Sequence, residues 1–109
     1  MIDNATADAI YAILPIEAPG NTWGDEVYFG IPVNLEQAPD ANDVVEMGDL
    51  GYWPPGHGFC IFFGRTPASR GNEPRAASPV NVFGKIEGDS TVFKKVGHGE
   101  KVRIEAVVG

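Results

Sequence analysis

Gly51-Tyr52-Trp53-Pro54-Pro55-Gly56-His57-Gly58-Phe59-Cys60-Ile61-Phe62-Phe63-Gly64-Arg65-Thr66-Pro67 is the stretch whose reading decides the fold. Neither Pro54 nor Pro55 carries an N–H, so the diproline interrupts any sheet ladder, and Gly56 lets the chain reverse. Phe59 to Phe63 is then apolar at every position. A strand without polar alternation is one covered on both faces, which places it in the middle of a sheet.

The neighbours of that central strand are sought on either side. Leu50 to Trp53 precedes it, turned by Gly48-Asp49 out of a short strand at Val44 to Met47. Asp25 to Val33 alternates, with Val27, Phe29 and Ile31 on one face and Glu26 and Tyr28 on the other. Val80 to Ile86 and Lys101 to Val108 read as further strands, the last with Val102, Ile104 and Ala106 inward and Lys101, Arg103 and Glu105 outward. Ala7, Ile10, Tyr11 and Leu14 fall at i, i+3, i+4 and i+7 and predict a short helix, with Asn4 or Thr6 as cap and Pro15 as its end. Asp89 or Ser90 caps one or two helical turns at Ser90 to Val96. Residues 37–43 and 65–79 read as loops, the second as a mobile surface loop from its arginines, prolines and small residues. Fourteen Gly and nine Pro in 109 residues suit short strands and tight turns. The expected class is mainly β, a small barrel or sandwich, with residues 1–109 as one domain.

Charge is divided along the chain. Residues 1–64 hold ten acids and no Lys or Arg, whereas residues 65–109 hold eight bases and five acids. Either opposite charges face each other across paired strands, or, more plainly, both sets sit in solvated loops. An overall charge of −7 disfavours nucleic acid or anionic lipid as a partner. Cys60 stands alone in an apolar run and reads as a small buried hydrophobe. No run approaches the roughly 20 apolar residues of a membrane span, and no charged-then-apolar leader opens the chain; the expectation is a soluble cytoplasmic protein.

Val82-Phe83-Gly84-Lys85-Ile86-Glu87-Gly88, followed by Val92, looks like the late strand-and-helix element of cyclophilins. Asn21-Thr22-Trp23-Gly24-Asp25-Glu26-Val27-Tyr28-Phe29, with the Gly51–Pro67 stretch and Asn81-Val82, resembles more closely a prokaryotic family of small, uncharacterised cyclophilin-like proteins. The match runs from about Asn4 to Val107. The resemblance implies a closed or nearly closed antiparallel β-barrel. The chain departs from the pattern in one respect: members usually begin with a β-hairpin ahead of the helix, whereas Met1 lies only a few residues before it, so the hairpin is either absent or lost in how the start of the sequence was assigned. Open strand edges, Lys101–Val108 first among them, would then invite a homo-oligomer.

Three functions compete. The first is binding of a small molecule or an extended peptide at the barrel mouth, framed by Trp23, Tyr52, Trp53 and Phe62 with the polar candidates Thr22, Glu26, Arg65, Thr66 and Asn81. The plainer alternatives are aromatics that fill the core, an exposed strand carboxylate at Glu26, and backbone-directed hydrogen bonds from Thr22 and Asn81. The second is a peptidyl-prolyl isomerase with a non-standard site. Cyclophilins, as the family is known, use an arginine on an early barrel strand; here no arginine precedes Arg65 and Phe-His-Arg is missing, leaving Arg65, Arg70 or Arg75 to supply one from a loop. The third is a noncatalytic partner of an oxoprolinase- or amidohydrolase-type enzyme, on fold analogy alone. No cofactor motif is found, and His57 and His98, each between glycines, match no metal spacing.

Overall fold

A computed structural model describes residues 5–105. Its elements are helix α1 (Ala5–Tyr11) and strands β1 (Ile16–Pro19), β2 (Asn21–Thr22), β3 (Glu26–Gly30), β4 (Asn42–Val44), β5 (Asp49–Trp53), β6 (Gly58–Phe62), β7 (Arg75–Lys85) and β8 (Lys101–Ile104). Two 3₁₀ turns cover Pro54–Gly56 and Ser90–Lys95. All pairings are antiparallel. Six strands form one sheet in the order β2-β3-β6-β5-β7-β4, and β1 pairs with β8 in a separate ribbon.

β6 is the central strand that its unbroken apolar run requires: every one of its residues is buried. One face of the sheet carries Val27, Phe29, Tyr52, Phe59, Ile61 and Phe83, which form the main core. Phe29 stacks on Phe59 (centroids 5.0 Å apart) and Phe59 meets Phe83 edge-on (5.1 Å), arrangements that add about 0.5–1.5 kcal/mol each to simple burial. Ala7 and Ile10 of α1, the inward residues of β1 and β8, the 31–35 segment and Phe93 cover this face. The opposite face has a smaller apolar cluster of Val45, Cys60, Phe62, Ala76 and Val80, flanked by Tyr28, Trp53 and Val82.

The closed cylinder expected from the resemblance is not formed by the described residues. The sheet ends at β2 and β4, which are only two and three residues long. Edges that short offer too few N–H and C=O groups to carry a ladder around the molecule, and the β1–β8 ribbon lies over the core as a cover. Two readings also change. α1 turns Tyr11 outward, and Thr6 takes the buried place beside Ala7 and Ile10. Asn4 and Ala106 lie outside the described residues.

The second change matters most for the site. Arg75 to Pro79, read as loop, is the first half of β7, because this strand changes partner. Its C-terminal half pairs with β5, and its N-terminal half reaches β4. Asn42 pairs with Val80 and Val44 with Arg75, so β7 takes five steps where β4 takes two. Pro79, without an N–H, sits inside the resulting bulge, where no ladder bond is asked of it. The preceding loop is laced rather than loose. Glu73 accepts from the Arg70 and Gly71 backbone N–H groups (3.0 and 2.7 Å), and these contacts, with Arg75, hold its carboxyl down at about 2.

The divided charge resolves into cross-chain pairs. Glu17 meets Arg103 (2.9 Å) and Lys101 (2.8 Å) across the β1–β8 ribbon, Asp43 meets Arg75 (2.9 Å), and Lys85 meets Glu46. Acid-rich early strands therefore lie beside base-rich late ones, the first of the two readings.

Candidate functional site

The second face of the sheet is hollow where the first is filled. β3 and β6 pair with Glu26 opposite Phe62 and Tyr28 opposite Cys60, while β5 sets Gly51 opposite Cys60 and Trp53 opposite Gly58. Period-two alternation therefore turns Glu26, Tyr28, Cys60, Gly51 and Trp53 to the same side. Over them the β7 bulge carries Ala76 and Ala77. Between bulge and sheet lies a cavity of about 260 Å³ lined by Trp23, Glu26, Tyr28, Trp53, Cys60, Ala76, Ala77 and Val80.

Two glycines shape it. A Cβ on Gly51 would stand 2.9 Å from Val80 Cγ2 and 3.3 Å from Phe62 Cε2, so only glycine lets those side chains close beneath the cavity. A Cβ on Gly56 would come within 2.7 Å of Trp53 Cζ3. The diproline turn thus folds its glycine against the indole, and Trp53 Nε1–H donates to Ser78 Oγ at 2.7 Å, tying the ring to the bulge.

Glu26 is the unusual group. It is 5% exposed, and none of the ion pairs among the described residues includes it. Removal from water penalises the charged carboxylate and pushes Glu26 up to about 7, with a hydrogen bond to Cys60 pulling weakly the other way. Burial first, and the Glu26 charge second, push the Cys60 thiol well above its ordinary range. That thiol stays protonated near neutral pH and is no nucleophile.

The nine residues singled out from the sequence divide clearly. Trp23, Glu26 and Trp53 line the cavity together. Phe62 is fully buried beneath it in the smaller cluster. Tyr52 lies on the other face, where its hydroxyl donates to the Val33 carbonyl (2.7 Å) and accepts from Leu35 N–H (3.1 Å). Asn81 is also on that side. It accepts from Ala38 N–H (2.7 Å) and donates to the Glu36 carbonyl (2.9 Å), pinning the 36–38 segment to β7. Thr66 closes its loop onto the start of β7, donating to the Arg75 carbonyl and accepting from Ala68 N–H. Thr22 sits on edge strand β2, its N–H donating to His98 Nδ1 (3.2 Å). Arg65 is exposed, and its carbonyl accepts from Asp25 N–H (2.7 Å).

Tyr28, Cys60, Ala76, Ala77 and Val80 complete the lining and are not among those nine. For Tyr28 a signal existed, since it alternates in phase with Glu26. Ala76 and Ala77 had none, because nothing local marks a bulge that depends on β4 and β5 both pairing with β7. Arg65, Arg70 and Arg75 all lie outside the lining, and Arg75 is held by Asp43 and Glu73. No cluster of His, Cys, Asp and Glu among the described residues could hold a metal ion.

The sequence pattern described as cyclophilin-like matches residues 1–105. The chain belongs to the cyclophilin-like family. A hypothetical protein from Archaeoglobus fulgidus, solved in solution, is 45% identical, with a TM-score of 0.75 over 92% of this chain and 76% of its own. No curated protein matches the chain. No helix among the described residues is long and apolar enough to cross a membrane.

Proposed function

We propose that this cyclophilin-like chain is a binding protein whose ligand, a small molecule or one side chain of an extended peptide, enters the cavity under the β7 bulge. The observation that carries the reading is Glu26: a buried carboxyl without a basic partner among the described residues, in the wall of a cavity that also holds both tryptophans of the chain. An unpaired carboxylate of this kind costs stability, so folding alone gives no reason to keep it there. At about 260 Å³ the cavity falls near the small end of the roughly 300–1,000 Å³ typical of ligand pockets, which limits the guest to a compact molecule.

Prolyl isomerisation draws no support from the geometry, because stabilising a twisted amide needs a fixed donor and no arginine lines the cavity. The protein is read as acting in the cytoplasm, without nucleic acid or membrane as partner. Self-association through the outer edges of the β1–β8 ribbon is part of the same proposal, since each of these strands has a single ladder partner in the described sheets.

The experiment is a fragment screen by NMR, following the indole N–H signals of Trp23 and Trp53. Binders that move both signals, and that compete with one another, are expected. Binders that instead move only signals from the opposite face, around Tyr52 and Asn81, would refute the assignment.

A further inference from the structure

Resting on that reading, the chemistry of the lining narrows the guest. Of the eight lining residues, Glu26 alone can carry charge near neutral pH, for the Cys60 thiol stays protonated. Four of the others are aliphatic or weakly polar, Cys60, Ala76, Ala77 and Val80, and three are aromatic, Trp23, Tyr28 and Trp53. Trp53 has already spent its one polar handle on Ser78, so toward a guest it offers ring surface only. Ring faces carry negative electrostatic potential and attract cations, Trp most strongly. An unpaired buried carboxylate does the same, with greater force where water is excluded.

The one charge of the cavity and its ring faces therefore share one sign, and no lining side chain can carry a positive charge; the Trp23 Nε1–H and the Tyr28 hydroxyl are neutral donors only. An anionic guest would have to share the cavity with the Glu26 carboxylate. A neutral apolar guest would fill the volume but leave the carboxyl as costly as before. A cation with an apolar exterior answers both needs: its methyl or methylene groups suit the alanine, valine and indole walls, and its charge supplies the partner that no Lys, Arg or His of the fold brings to Glu26.

We propose that the cavity binds a small organic cation of the substituted-ammonium class, its charge directed at Glu26 and its alkyl groups packed against Trp23 and Trp53. A compact head such as trimethylammonium fits the volume. A long, strongly hydrated primary ammonium suits it less, since its water shell must be stripped where the lining side chains offer few acceptors, the Glu26 carboxyl and the Tyr28 hydroxyl among them.

Both tryptophans line the cavity, so intrinsic fluorescence reports on occupancy directly. Choline is titrated into the full-length protein at pH 8 beside dimethylbutanol, its uncharged carbon analogue of nearly the same shape. Saturable quenching by choline is expected, with dimethylbutanol weaker by about tenfold or more, the scale of a cation–aromatic contact joined to one charge pair. Glu26→Gln, which keeps the shape and removes the charge, should bring the two ligands together by weakening choline alone. Equal affinity for the two in the unaltered protein overturns the cation assignment while leaving a binding cavity in place. Failure of both to quench saturably, together with a fragment screen that finds guests only elsewhere, overturns the cavity reading itself.

Discussion

The two faces of β6 are built from neighbouring residues yet obey different rules. Phe59 and Ile61 point into a core filled by stacked rings and covered by helix, ribbon and 3₁₀ turn. Cys60 and Phe62, one step away in each case, point to a thinner layer that stops short of filling its space and includes a carboxyl. Tyr52, Asn81 and Thr6 on the first side have their polar atoms tied to backbone or to one another. On the second side, Glu26 lacks an ionic partner. Polar groups are hydrogen-bonded on both faces, but only the second buries a carboxyl with no opposite charge beside it among the described residues.

The sharpest way to test that contrast is to cut into each face in turn. Phe59→Ala removes the ring that joins Phe29 to Phe83 and should cost about 3–5 kcal/mol in denaturant unfolding, enough to threaten folding altogether. A cost below about 1 kcal/mol would mean that this side is no better packed than the other.

Glu26→Gln should act in the opposite direction. The folded carboxyl sits at about 7, above its ordinary 4.5, so the native state binds more protons than the unfolded chain between those values. Stability of the unaltered protein therefore falls as pH rises from about 4.5 to about 7 and levels off above, a loss of about 3 kcal/mol. Glu26→Gln should be more stable than its parent at pH 8 and nearly equal at pH 5. Parallel pH profiles for the two proteins would contradict this.

Asn81→Ala leaves the Ala38 N–H and the Glu36 carbonyl without their partner on the core side and should cost about 1–3 kcal/mol, with no effect on the tryptophan fluorescence of the cavity. Smallest of all is Arg103→Ala. Its pair with Glu17 lies in solvent, and its loss should fall within the error of a denaturation curve at ordinary salt.

Much of this arrangement was legible from local pattern. The unbroken run at Phe59–Phe63 announced a central strand, and the alternation through Glu26, Val27, Tyr28 and Phe29 assigned those residues to faces before any pairing was known. What escaped depends on contacts distant in sequence. Asn81 reads as a candidate ligand contact because a polar residue interrupts an apolar strand; its use, to hold a segment more than forty residues earlier, is visible only once β7 and residues 36–38 are adjacent. Pro79 reads as a break because proline cannot join a ladder, yet β7 continues through it by exchanging β5 for β4. The cavity exists because of that exchange. Barrel closure, implied by resemblance, likewise depends on edge strands whose lengths no local signal sets.

The state of one carboxyl, Glu26, decides what this cavity can hold. A carbon-detected NMR titration of Glu26 in the free protein reads it directly. The structure predicts a midpoint near 7, with the Trp23 and Trp53 indole signals shifting in step. A midpoint at the ordinary value near 4.5 would show Glu26 to be solvated or paired, and would contradict its burial in the cavity wall without a basic partner.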